Sequence, residues 1–231
     1  MRQRFSLGLG ALLLTAGSLP AQQKVELLFT GSFLGERAWP KTGEKWLGLY
    51  RTASGFRLAP TKIKVERVPD ACAGTATRIS ADMAEEPYLL VRGHDSFGLG
   101  LIDTALAGNE FLYPGQSISV RFGKPEHWYY MLALGSASAR PGDILFTDYR
   151  LELRDSEHPG SGQVFLKFDR LALENIPNLQ WAGDLDRDGR LDLLFRVPIG
   201  GHSKRYVLFL SSAASRPKLV KVVASFDLLD C

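Results

Sequence analysis

From residue 25 onward the chain alternates short apolar runs with turn chemistry. Segments 25–29, 46–50, 56–58, 63–68, 88–91, 117–122, 128–134, 144–154, 164–173, 191–197, 206–211 and 219–226 are rich in β-branched and aromatic residues with partial two-residue alternation. That pattern predicts strands with one face buried. Between them fall Thr42-Gly43, Ser54-Gly55, Pro114-Gly115, Pro141-Gly142 and Pro159-Gly160-Ser161-Gly162, residues that set the backbone angles of tight turns. The best helical candidate after residue 21 is the short stretch 79–86 ahead of Pro87. The expectation is an all-β fold of antiparallel sheets, packed as a sandwich-like or two-sheet domain, with few or no helices. The Pro-Gly turns are short enough to be hairpin connections rather than linkers, so 22–231 is expected to form a single β-rich domain.

The first 21 residues break this pattern. Met1-Arg2-Gln3-Arg4 is basic, 5–14 is apolar, and Thr-Ala-Gly-Ser-Leu-Pro-Ala closes the stretch with small residues. That is the layout of a secretory signal peptide, with cleavage expected after Ala21 and Ser18 as the alternative. Neither site is followed by a cysteine that would carry a lipid. No later segment approaches eighteen apolar residues, so no membrane span is expected once the signal is removed. Export to the periplasm or the medium follows as an expectation. Removal of 1–21 takes Arg2 and Arg4 and no acid, which lowers the formal charge from +3 to +1. A chain this balanced carries no electrostatic case for nucleic acid.

One segment carries nameable chemistry. Residues 184–192 read Asp-Leu-Asp-Arg-Asp-Gly-Arg-Leu-Asp, which places carboxylates at loop positions 1, 3, 5 and 9 and glycine at position 6. Ca²⁺ takes six to eight oxygen ligands at about 2.3–2.6 Å, and a tight turn points alternate side chains at one centre. Asp184, Asp186 and Asp188 would supply carboxylates, Arg190 its carbonyl oxygen while its charged head leaves for solvent, and Asp192 would close the ring. Gly189 supplies the left-handed backbone that such a turn needs. Position 12, where an EF-hand has glutamate, is Phe195, and 191–197 is strand-like, so the expected site is a loop leading into a strand. A solvated acidic turn is the plain alternative.

The run Trp181-Ala-Gly-Asp-Leu-Asp-Arg-Asp-Gly-Arg-Leu-Asp-Leu-Leu-Phe resembles the calcium loops of FG-GAP (integrin-type propeller) repeats, over about fifteen residues. Those propellers repeat the unit in several blades; here it occurs once, without a 40-to-60-residue repeat, so a full propeller is not expected. Together with the signal sequence, Leu-Phe-Leu-Ser-Ser at 208–212 and a terminal cysteine, the single loop also resembles a group of uncharacterised exported bacterial proteins. That likeness implies no activity.

Cys72 and Cys231 are the only cysteines. An even pair in an exported chain is expected to form one disulfide, contributing up to about 5 kcal/mol on the chain-entropy account. Other chemistry is thinner. Gly93-His94-Asp95-Ser96 lacks the spacing of a nucleophile elbow, and Gly98-Leu99-Gly100 lacks the third glycine and following helix of a dinucleotide loop. His127, beside Glu126 and ahead of Trp128-Tyr129-Tyr130, would border a carbohydrate platform if those rings were exposed. His158 and His202 show no zinc spacing. Glu85, Glu86, Glu110, Glu126, Asp143 and Asp148 could pair for glycoside hydrolysis, a matter of distance that sequence does not reveal. The function expected is an exported calcium-binding β domain with a structural or binding role, toward a protein or carbohydrate partner and with no catalytic residue assigned. The alternative is a secreted hydrolase, possibly acting on polysaccharide, with a structural calcium.

Overall fold

A computed structural model describes residues 24–140, 143–158, 160 and 162–229. The expected signal peptide, the Pro141-Gly142 turn and Cys231 lie outside the described residues, and of the 159–162 loop only Gly160 and Gly162 fall within them. In chain order the strands are β1 (Glu26–Leu28), β2 (Gly31–Phe33), β3 (Lys45–Thr52), β4 (Gly55–Asp70), β5 (Gly74–Ala81), β6 (Leu89–Arg92), β7 (Gly100–Ile102) and β8 (Thr104–Phe111). There follow β9 (Ser117–Arg121), β10 (Trp128–Arg140), β11 (Asp143–Asp155), β12 (Gln163–Ala172), β13 (Asn178–Gly183), β14 (Asp192–Gly200), β15 (Ser203–Leu210) and β16 (Lys221–Leu228). A 3₁₀ turn at Leu173–Asn175 is the single helical element among the described residues.

The all-β, sandwich-like expectation is met, with three sheets. Seven strands run β1-β6-β3-β4-β5-β2, with β7 against β4; four run β12-β11-β10-β9; five run β16-β15-β14-β13-β8. Every pairing is antiparallel. The five-stranded sheet lies between the other two. Because successive strand side chains point to opposite faces, Leu194, Leu208 and Leu210 join one core with Leu49, Leu58 and Leu90 of the seven-stranded sheet. Leu193, Phe195 and Phe209 join a second core with Tyr149, Leu151 and Leu153 of the four-stranded sheet. This double burial explains why 191–197 reads as an almost unbroken apolar run rather than a clean alternation.

Long strands shape the outer sheets. The segments 56–58 and 63–68 are parts of one strand, β4, whose first half pairs with β3 and whose second half pairs with β5. In the β10–β11 hairpin the register shifts between Leu134 and Ser136. Gly135 sits there at φ +152, with Thr147 O only 3.1 Å from where a Cβ would lie. The helical candidate 79–86 is corrected: Ile79–Ala81 completes β5, and Ile79 is buried against the first core.

Candidate metal centre

The acidic loop is the connection between β13 and β14, the two strands that Gly183 and Asp192 pair at its base. Its entry is fixed by the Asp184 amide, which donates to Asp103 O at 2.8 Å. Gly183 is required at that crossing, since a Cβ would lie 2.4 Å from the same carbonyl. Arg187 and Gly189 both take positive φ, +63 and +78, curling the chain back on itself. The turn ties its own backbone to its first carboxylate: the Asp188 and Gly189 amides donate to Asp184 Oδ1 and Oδ2 at 3.0 and 2.8 Å.

Asp184, Asp186 and Asp188 converge, with one carboxylate oxygen of each within 4.8 Å of the others. Asp186 is 2% exposed. Its Oδ2 accepts from the Ser212 hydroxyl, whereas its Oδ1 is buried with no hydrogen-bond partner. A buried carboxylate oxygen without a donor costs several kcal/mol unless the group is neutralised or meets a cation. The Ser211 hydroxyl sits 3.0 Å from both oxygens of Asp188 and 2.9 Å from Asp192 Oδ1. One hydroxyl proton serves one acceptor at a time, so oxygen lone pairs outnumber donors here.

Asp192 has a different place from the other three. It is fully buried, and its oxygens accept from the Leu185 amide at 2.8 Å, the Ser211 amide at 2.8 Å and the Ser211 hydroxyl. It braces the loop against the end of β15 from below. Burial first, and then the nearby Asp186 charge, push its carboxyl well above the usual range. Asp184 is also raised, by burial and then by Asp188 and Asp186, against the opposing pull of the Gly189 and Asp188 amides. Arg190 keeps its head at the loop: its guanidinium lies 2.6 Å from Asp188 Oδ2, and its amide donates to Asp188 Oδ1 at 2.9 Å.

Several sequence features find other uses. Gly98 and Gly100 form a seat for Arg187, whose guanidinium carbon or nitrogens would lie 3.2–3.4 Å from added Cβ atoms. That guanidinium donates to Leu99 O at 2.6 Å and Leu101 O at 3.1 Å, pinning the acidic loop to β7. His94 Nδ1 caps the Ser96 amide at 3.4 Å in a local turn. His127 is buried, with Nε2 2.7 Å from Asp155, and Tyr129 is buried beside it, whereas Trp128 is half-buried and Tyr130 is exposed. Cys72 stands exposed in the β4–β5 turn, whose amides cap on Asp70, and there is no free thiol among the described residues.

Ser211 and Ser212 belong to this centre and were not assigned a role from sequence. Their only signal was the Leu-Phe-Leu-Ser-Ser run; the β14–β15 register, Leu193 to Phe209, is what carries them over the loop. Comparison with protein-family models, curated proteins and solved structures gives no match. The acidic cluster of this all-β fold can hold a metal ion.

Proposed function

We propose that the protein is an exported calcium-binding β-domain protein with a structural or binding role in the cell envelope or medium. The buried, unpartnered Oδ1 of Asp186 inside a three-carboxylate cluster carries this reading. The donor set is all oxygen, which suits a hard cation such as Ca²⁺ rather than a softer metal. Asp184, Asp186 and Asp188 hold the ion, with the Arg190 carbonyl as a further ligand, and Asp192 shapes the loop from beneath. Bound Ca²⁺ supplies charge neutralisation, and the chain supplies a turn already fixed by Arg187, Ser211 and Ser212. The resemblance of the loop to FG-GAP calcium loops supports the same ion. Isothermal titration with Ca²⁺ and with Mg²⁺ tests the reading. One Ca²⁺ per chain is expected, bound more tightly than Mg²⁺ and lost in Asp184→Asn/Asp188→Asn; absence of Ca²⁺ binding overturns it.

Export and a Cys72–Cys231 disulfide belong to the same proposal. Alkylation of the exported protein without reductant, read by mass spectrometry, should leave both cysteines unmodified. The hydrolase reading calls for two carboxylates facing across a cleft. The two cavities beside β10 and β11 share a single carboxylate, Asp155, which already binds two imidazoles.

A further inference from the structure

The seven-stranded and five-stranded sheets each end on a strand that is paired on one side only, β1 and β16. A cavity of about 360 Å³ lies between these two strands. Consecutive residues line it on both sides, 24–28 on one wall and 222–226 on the other. Successive side chains of a strand point to opposite faces, so a cavity that meets every residue in turn lies against the strand's edge, where main-chain N–H and C=O groups are presented. Among the described residues no backbone hydrogen bond joins β1 to β16. Exposed edges are ordinarily blunted by charge. β12, which ends the four-stranded sheet, carries Lys167, Asp169 and Arg170. The stretch Val222-Val223-Ala224-Ser225-Phe226 of β16 carries no charge, and Val222 is exposed. The lining is also positive. Arg37 is half-buried, with its guanidinium carbon 4.6 Å from the ring centre of Trp39 and 4.5 Å from that of Phe226, and it donates to Asp227 O. Arg37 has no carboxylate of its own among the described residues, because Arg205 takes up Asp227 at 2.5 and 2.8 Å. Glu26 is the one carboxylate in the lining, and Arg92 holds it at 2.9 Å.

We propose that this cavity receives an extended, acidic peptide of another protein, which adds a strand to the outer edge of β16 and sets a carboxylate against Arg37. In strand addition the main-chain hydrogen bonds supply affinity and the side-chain pockets supply selectivity. Five residues of β16 make about 17 Å of edge, enough for a peptide of about five residues. A guanidinium without an ion pair matches the carboxylate through charge-assisted hydrogen bonds. β1 and the segment 37–40 wall the cavity. In a second copy of this chain β16 is recessed in the same way, so two such edges cannot lie side by side, whereas a single extended chain can enter. The inference goes beyond the metal reading, since none of the lining residues belongs to the acidic cluster or bonds to it.

Selection of phage-displayed random octapeptides against the full mature protein, followed by titration of the enriched peptide in synthetic form, tests it. The enriched peptides are expected to share an acidic residue, and the synthetic peptide should slow amide hydrogen exchange along 222–227. Changing its acid to the corresponding amide should weaken binding at least tenfold. N-methylation of alternate peptide residues, which removes strand-pairing donors and leaves the side chains in place, should do the same. Arg37→Gln should bind the acid and amide forms alike; the two peptide changes use the unaltered protein and decide the matter even if that variant folds poorly. The proposal is overturned if no peptide is enriched, if the N-methylated peptide binds equally well, or if the slowed amides lie outside β16. It is also overturned if sedimentation of the protein alone shows a dimer that protects the same amides, which would assign the edge to a second copy. Asp184→Asn/Asp188→Asn should bind the peptide as wild type does, which separates failure of this site from failure of the metal centre.

Discussion

Replacing Asp186 by asparagine should move stability in opposite directions with and without calcium. Without the ion, Asp186 places a buried anionic oxygen with no donor beside Asp184, Asp188 and Asp192. Removing that charge relieves a penalty of about 1–3 kcal/mol, which offsets the weaker bond that the amide oxygen makes to Ser212. In chelator the variant should therefore melt at or above wild type. With Ca²⁺ at a hundredfold excess over Kd, wild type gains ~2.7 kcal/mol, a rise of about 5 to 10 °C for a domain of this size, and the variant gains little. Differential scanning calorimetry in chelator and in excess Ca²⁺ reads all four states. A variant that melts well below wild type in chelator, yet keeps the calcium shift, would refute the assignment of Asp186 as an unsatisfied ligand.

Three further outcomes are expected. Without metal, Asp184 and Asp192 hold their protons to higher pH when folded than unfolded, so the unfolded chain ionises first as pH rises. These two groups should therefore stabilise the apo protein more as pH falls toward the ordinary carboxylate range, and excess Ca²⁺ should abolish or reverse that contribution in thermal melts. Ser211→Ala removes the hydroxyl shared by Asp188 and Asp192 while sparing the Ser211 amide, and calcium affinity should fall at least about tenfold, since a hydrogen bond to a charged group contributes about 1.5–3 kcal/mol, read by titration. Trp181, fully buried in the first core at the foot of the loop, should cost about 3–5 kcal/mol when cut to alanine, visible as a lower urea midpoint with an unchanged slope.

Much of the fold could be read from residues, because a strand with one wet face declares itself. The segments 144–154 and 206–211 fall within or across β11 and β15 with small boundary differences. Five strands are not legible in the sequence, and two of them, β2 and β7, are only three residues long. β8, Thr-Ala-Leu-Ala-Gly-Asn-Glu-Phe, is half-exposed along most of its length and offers small side chains, so its alternation is faint. β5 is obscured because Ile79–Ala81 falls inside the helical candidate 79–86, where Ile79 and Met83 stand four residues apart. β13 is buried at every position despite carrying Asn178 and Gln180; Gln180 Nε2 donates to Asn109 on β8 and to Asn178 Oδ1, while the Asn178 amide nitrogen is buried without a partner. A polar residue reads as exposed until the partner that accepts its hydrogen bond is known. The same limit governs the site. The spacing 184, 186, 188 is local and was legible, whereas Ser211, Ser212 and the Arg187 seat on β7 are joined to it only by sheet register.

The three-layer arrangement gives the loop its consequence. β13 and β14 run through the middle sheet, so the acidic turn emerges from the most buried part of the molecule, between one core below Asp192 and the other around Leu185. Anything that fixes the turn therefore fixes both sandwiches at one end. Arg190 extends that reach outward, since it is bound to Asp188 on one side and on the other lines a cavity together with Arg216 and Lys218. An ion that takes up Asp188 weakens its hold on Arg190 and adds positive charge nearby, both of which favour an anion in the cavity. Calcium should then tighten the binding of an anion such as sulfate in that cavity severalfold, and, since coupling between two ligands is reciprocal, the anion should tighten calcium by the same factor. Titrating each ligand in the presence of the other measures both factors. Unequal factors would indicate a third process, and equal factors of one would show that Arg190 does not connect the two sites.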